Sequence, residues 1–221
     1  MISSEYNFFH IDYTVEETEE YLRDVVSKKY NTAQAQRVFA ALDLARHAHK
    51  DRCRCNNASY IVHPMRVALL LLSFDENAIS KVIIAALLHD VLEKTDVKAC
   101  VIEEQFGRYV LKLVQSVTRD HDDKQSCQEK TLAKRQCWLE AMSGSHEARL
   151  IKTCEDLDNM ICWKAIPEDS LARGKMPRWL MEAEEMSLPL ARVTNWQAYH
   201  LMRQEYDYYV ERGFADQPIT I

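Results

Sequence analysis

The chain has 221 residues, with 28 Lys+Arg against 34 Asp+Glu and a formal net charge of −6. Its 4 Gly and 5 Pro are too few for a sandwich, barrel or propeller, which needs turn residues every ~8–12 positions, and they form neither a G-x-G-x-x-G nor a P-loop. The acidic balance argues against a nucleic-acid footprint, while 47% apolar residues suffice for a full core.

The start, Met1 to Tyr6, has no basic stretch leading into an apolar core, so no signal peptide is expected. Residues Thr14 to Lys29 are charged and amphipathic and read as a first helix. From Thr32 to His49, Val38, Leu42, Ala45 and His49 share one helical face. His49 is expected as a packed, hydrogen-bonded core histidine. Residues 50–62 are polar and aperiodic, a loop. Pro64 suits a first helical position and opens a helix through about Ser73. Asp75 can cap the next, from Glu76 to about Lys94. Its middle, Val82 to Leu88, is apolar throughout, so it should be central and buried. Helices follow at 98–105 and 107–118, then a polar loop over 119–130. Further helices are expected at about 131–142 and 146–165, and two in 168–212, broken near Pro189. The expected fold is all-α, about nine or ten helices, with an N-terminal helical extension over 1–31 and one domain over 32–221.

No apolar run reaches the ~18 residues of a membrane span. The 7 cysteines are scattered and odd in number, and read as reduced thiols of a cytoplasmic chain. Cys53 and Cys55 read as loop cysteines, since no second thiol pair with zinc spacing follows.

The chemistry concentrates at His89-Asp90, at the end of the buried run. A charged Asp there costs free energy unless it is paired or ligates a metal; a helix-capping Asp beside a satisfied core His fits the pair alone. It is not alone. His63 precedes Pro64, and Glu155 lies on a helix whose apolar face is Leu150, Cys154, Leu157 and Ile161. Two imidazoles and two carboxylates suit Mn²⁺, Fe²⁺ or another borderline cation.

Several segments, in order, resemble one family. Phe39 to His49 resembles its opening helix. Arg54 and then Tyr60-Ile61-Val62-His63-Pro64 resemble "R-K … pY-I-x-H-P". Ala85 to Glu93 resembles "A-x-L-L-H-D-V-V-E-D-T". Phe106-Gly107 and Val117-Thr118-Arg119 resemble "F-G … V-T-K". Lys130 to Trp138 resembles "K-T-L-P-K-x-x-R-K", and Lys152 to Met160 resembles "K-L-A-D-R-L-H-N-M". Over residues 39–160 the chain is thus similar to the HD-domain alarmone hydrolases, the hydrolase half of RelA/SpoT-type enzymes, and by length to the small alarmone hydrolases of the stringent response.

The resemblance implies an Mn²⁺-dependent hydrolase that removes the 3′-pyrophosphate of guanosine tetra- or pentaphosphate (ppGpp). By position, His63, His89, Asp90 and Glu155 would hold the metal. Glu93 would position or deprotonate the attacking water. Arg54 would contact the guanine and Asn159 the ribose; Lys130, Lys134 and Arg135 would hold pyrophosphate oxygens, or else form a solvated basic face. Five positions depart from the motifs. Glu155 stands for Asp, Lys94 for the second catalytic carboxylate, Asp156 for a basic residue and Asp158 for His. Cys55 stands where the family has lysine. These leave open a catalytically degenerate nucleotide-binding or regulatory protein, or an HD hydrolase of another phosphorylated nucleotide such as NADPH. Tyr206, Tyr208 and Tyr209 read as packing residues or a subunit contact, which keeps a homodimer open.

Overall fold

The computed structural model describes residues 14–119 and 127–214, with Cys127, Gln128 and Lys130 as helix backbone alone. Twelve α-helical segments make up the described residues, and apart from one isolated bridge, Cys53 with Ser59, they contain no β-structure. No helix among them is long and apolar enough to cross a membrane.

Helix α1 (Val15–Lys29) opens on a capping box: Thr14 accepts from the Glu17 N–H, and the Glu17 carboxylate takes the Thr14 N–H. Its Leu22 and Val26 are fully buried in the same core as the rest of the chain. Helix α2 (Thr32–Ala48) begins likewise at Asn31 and Gln34, and the expected face, Val38, Leu42 and Ala45, is fully buried. Helix α3 (Val62–Phe74) starts two residues before Pro64, whose missing N–H falls in the first turn, where no intrahelical partner exists.

Helix α4 (Ser80–Leu88) is the centre of the molecule. Every side chain from Val82 to Leu88 is buried, and it packs against α2, α3 and α7. Here the structure corrects the expected helix from Glu76 to Lys94. Asp75 is the C-cap of α3 and not the N-cap of the next helix; its carboxylate accepts from the Asn77 N–H in a turn, and α4 starts only at Ser80. At the other end α4 stops at Leu88, and a separate turn of helix, α5 (Val91–Lys94), follows His89 and Asp90. His89 and Asp90 form this junction, both with right-handed backbone angles.

Helices α6 (Ala99–Phe106) and α7 (Arg108–Val117) meet at Gly107, whose φ of 91° and ψ of 163° lie in a region that only glycine occupies readily. A Cβ there would meet nothing within 4 Å. Gly107→Ala is therefore expected to cost ~1–3 kcal/mol from backbone strain alone, read as a lower urea midpoint with an unchanged slope. An unchanged midpoint would contradict this account.

Helix α8 (Cys127–Ser143) begins inside the stretch expected as polar loop; residues 120–126, with His121, lie outside the described residues. Helix α9 (His146–Cys162) packs against α3. The break expected at Pro189 is absent. Helix α10 (Met176–Glu182) runs through one π-turn, Ala183–Ser187, into α11 (Leu188–Thr194), and the register change accommodates the proline ring. The chain turns instead at Asn195, which caps α12 (Trp196–Val210). Two of the expected helices are thus each divided, which accounts for the larger count. On α12, Tyr206 and Tyr209 are buried within the chain, donating to Glu184 and to the Met160 carbonyl. They are packing residues.

Candidate metal centre

His63 comes from the first turn of α3 and His89 and Asp90 from the break after α4; all three are buried. His63 Nε2 and His89 Nε2 lie 3.3 Å apart. Asp90 Oδ2 is 3.8 Å from the first and 3.4 Å from the second. One ligating atom from each residue falls within 4.8 Å of the others, a grouping of three that among the described residues occurs only here.

The donor set fits a divalent cation. His63 Nδ1 lies 2.7 Å from Asp158 Oδ2, and His89 Nδ1 lies 2.7 Å from the Ala86 carbonyl oxygen. An acceptor at Nδ1 calls for the N–H there, which leaves both Nε2 atoms as lone-pair donors. Two such lone pairs beside a carboxylate repel one another unless positive charge lies between them. Burial, and then Arg54, lowers His63 to about 3, so it is the neutral, ligating form. Burial also pulls on His89, but Asp90 and Glu155 outweigh it and push His89 up to about 8. That places a proton on His89 Nε2, which a bound cation would displace.

Tyr60 donates to Asp90 Oδ2 over 2.5 Å. Burial, then Asp90, pushes its phenol far up, so it stays a donor and fixes the carboxylate. His49 stacks on Tyr60 at 4.7 Å, packed as expected but with no hydrogen-bond partner at either ring nitrogen.

Glu155 lines the same cavity but stands outside the group of three. Its Oε1 is 3.0 Å from Lys152 Nζ, which is also 3.1 Å from Asp156. Burial raises the Glu155 carboxyl against the pull of Lys152 and His89. Glu93, three residues after Asp90, accepts from Lys94 at 2.6 Å, from Arg119 Nη2 at 2.7 Å and from the Arg119 N–H at 3.1 Å. Burial and Asp90 push its carboxyl up, but Lys94 and Arg119 prevail and hold it below the usual glutamate value. Lys94 also approaches Asp90 Oδ1 at 3.6 Å.

These residues border a cavity of about 190 Å³, which shares Tyr60, Lys134, Asp156 and Asn159 with a second chamber of about 320 Å³. Arg54 lines that chamber and donates to Asn159 Oδ1 over 2.7 Å. Trp163 and Trp179, stacked at 5.4 Å, form part of its wall. Lys134 pairs with Glu182 at the junction. Arg135 points away to Glu185, half exposed, and lines neither cavity, so of the two expected cations with described side chains α8 brings only Lys134 to the cleft. The Lys130 side chain lies outside the described residues.

The sequence reading passed over Arg66, Asp158 as a partner, Lys152 and the tryptophans. Arg66 alone carried a signal, a lone charge within the apolar face of α3.

An HD domain family model matches residues 41–176. The guanosine-3′,5′-bis(diphosphate) 3′-pyrophosphohydrolase MESH1 of Mus musculus is 36% identical over 132 residues, 58% of this chain and 70% of that protein. The enzyme of the same name from Borreliella burgdorferi is 31% identical over 157 residues, which cover 68% of this chain but only 23% of its own length. A solved structure described as a metazoan ortholog of SpoT that hydrolyzes ppGpp superimposes with a TM-score of 0.68 and 26% identity, covering 84% of this chain and 98% of that one.

Proposed function

This chain belongs to the HD-domain alarmone hydrolase family, and on that premise we propose that it is a metal-dependent nucleotide pyrophosphohydrolase removing the 3′-pyrophosphate of guanosine tetra- or pentaphosphate. The observation that supports the reading most is the convergence of His63 Nε2, His89 Nε2 and Asp90 Oδ2 beside a chamber in which Arg54 and Asn159 are joined.

His63, His89 and Asp90 would hold the cation, for which we propose Mn²⁺, with Glu155 across the cavity. Bound there, it would lower the pKa of water and polarise a phosphoryl oxygen. Glu93 stays ionised, so it accepts a hydrogen bond from the attacking water and aims its oxygen at phosphorus. The water oxygen forms the new bond to phosphorus as the bond to the 3′-oxygen breaks, and the proton the water gives up passes by way of Glu93 to the departing 3′-oxygen. Lys94 and Lys134 offset the charge that develops on the phosphate oxygens. Arg54 takes the purine, for which its planar fork is suited, and Asn159 the ribose. The partner is a small nucleotide in the cytoplasm; no nucleic acid or membrane is needed, and the burial of Tyr206 and Tyr209 lends a homodimer no support.

One observation favours a second reading, a nucleotide-binding protein without turnover: Lys94, a cation where the family has a carboxylate, occupies Glu93. A single assay separates the two. Purified protein is incubated with guanosine tetraphosphate and Mn²⁺, beside His89→Ala, and the nucleotides are resolved by anion exchange. Guanosine diphosphate from wild type alone is expected. Binding without product would favour the second reading, and turnover of NADPH alone would redirect the substrate.

A further inference from the structure

One buried cluster beside the centre has no part in the reaction as drawn. Asp158, on α9, has no exposed surface, and Arg66, on α3, is 3% exposed. Arg66 Nε donates to Asp158 Oδ1 over 2.5 Å, while Oδ2 faces His63 Nδ1 at 2.7 Å. We propose that Asp158, clamped by Arg66, is a positioning residue that fixes His63 as the Nδ1–H tautomer and directs its Nε2 at the metal. The inference rests on the reading of the cleft as a divalent-cation site.

Two observations carry it. First, the two oxygens of Asp158 are divided between Arg66 and His63, with Cys162 Sγ 3.8 Å from Oδ2, so the carboxylate cannot rotate without breaking a buried pair. Second, His89 is anchored differently, by a neutral carbonyl, so the two imidazoles have unequal donors behind them. A carboxylate behind a ligating imidazole holds its ring and its tautomer in place, and only His63 has one. The sequence motif has a histidine here, which could not hold Arg66 as well.

A purely structural salt bridge would predict a different outcome from the following test. Replacing both partners, Arg66→Met with Asp158→Leu, removes the buried pair as a unit, a change that folded proteins often tolerate. Mn²⁺ affinity of metal-stripped protein, measured by calorimetry, is expected to fall 10–100-fold. Arg66→Met with Asp158→Asn, which keeps an acceptor for Nδ1–H, is expected to fall between this variant and wild type. Wild-type affinity in the Leu variant would overturn the proposal while leaving the metal site intact. A wild type that takes up no Mn²⁺ would overturn the metal-dependent reading and this inference with it. Should the Leu variant not fold, ring-nitrogen NMR of wild type decides: His63 protonated at Nδ1 supports the proposal, and protonation at Nε2 overturns it.

Discussion

Glu93→Gln is expected to lower hydrolysis of guanosine tetraphosphate by ~10²–10⁴-fold, the range for loss of one positioned acid/base group, with Mn²⁺ affinity unchanged. The two effects separate because Glu93 stands outside the three convergent ligand atoms. Its carboxylate accepts from Lys94 and twice from Arg119. A carboxylate so engaged stays ionised through the neutral range. It can orient water and accept a proton only transiently, as that proton is passed on. The amide of Gln is similar in shape but turns a donor toward Lys94 or Arg119, so alignment is lost along with basicity. Initial rates at saturating Mn²⁺ give the first quantity and calorimetry the second. A variant that keeps more than a tenth of the wild-type rate would remove Glu93 from the proposed chemistry. One that loses Mn²⁺ would instead make it a ligand.

The way the site is assembled explains how far the sequence alone reached. Helical periodicity is a local property, and α2 with its buried Val38, Leu42 and Ala45 followed from it directly. The segment from Glu76 to Lys94 did not, because an apolar run carries no mark of where a helix ends. α4 ends at Leu88 although the backbone at His89 and Asp90 stays right-handed, so neither the composition nor the local conformation marks the end. Pro189 misled in the opposite sense: a proline predicts a break, and the π-turn before it absorbs the strain over a few residues.

The grouping of His63, His89 and Asp90 was anticipated from the motifs that carry the resemblance. Their partners were not. Asp158 reaches His63 only because α3 and α9 lie side by side, a pairing between residues 95 apart in sequence. Lys134 and Arg135 are neighbours in sequence and project from α8 in different directions, one to the cleft and one to Glu185. Charge alone could not tell them apart.

The same side-by-side packing sets the largest expected stability effect. Arg66→Met alone removes the guanidinium bonded to Asp158, which has no exposed surface, and Asp158→Leu alone removes the carboxylate bonded to the buried Arg66. Breaking a buried pair from one side typically costs ~3–5 kcal/mol, whereas replacing both partners by apolar groups is often neutral or stabilising. The double variant is therefore expected to recover most of what either single variant loses, a coupling that urea denaturation of all four proteins would read as a double-mutant cycle. The sign with pH follows from Asp158. Its folded-state carboxyl is depressed, so its contribution is present above the unfolded aspartate value of about 3.9 and is lost as pH falls below it. The gap between wild type and Arg66→Met should accordingly be full at pH 6 and narrow below about pH 4. A gap that stays constant would assign the loss to missing packing around the long Arg66 side chain, and not to its charge. Equal losses in the two single variants, summing in the double, would mean that the pair contributes nothing as a pair.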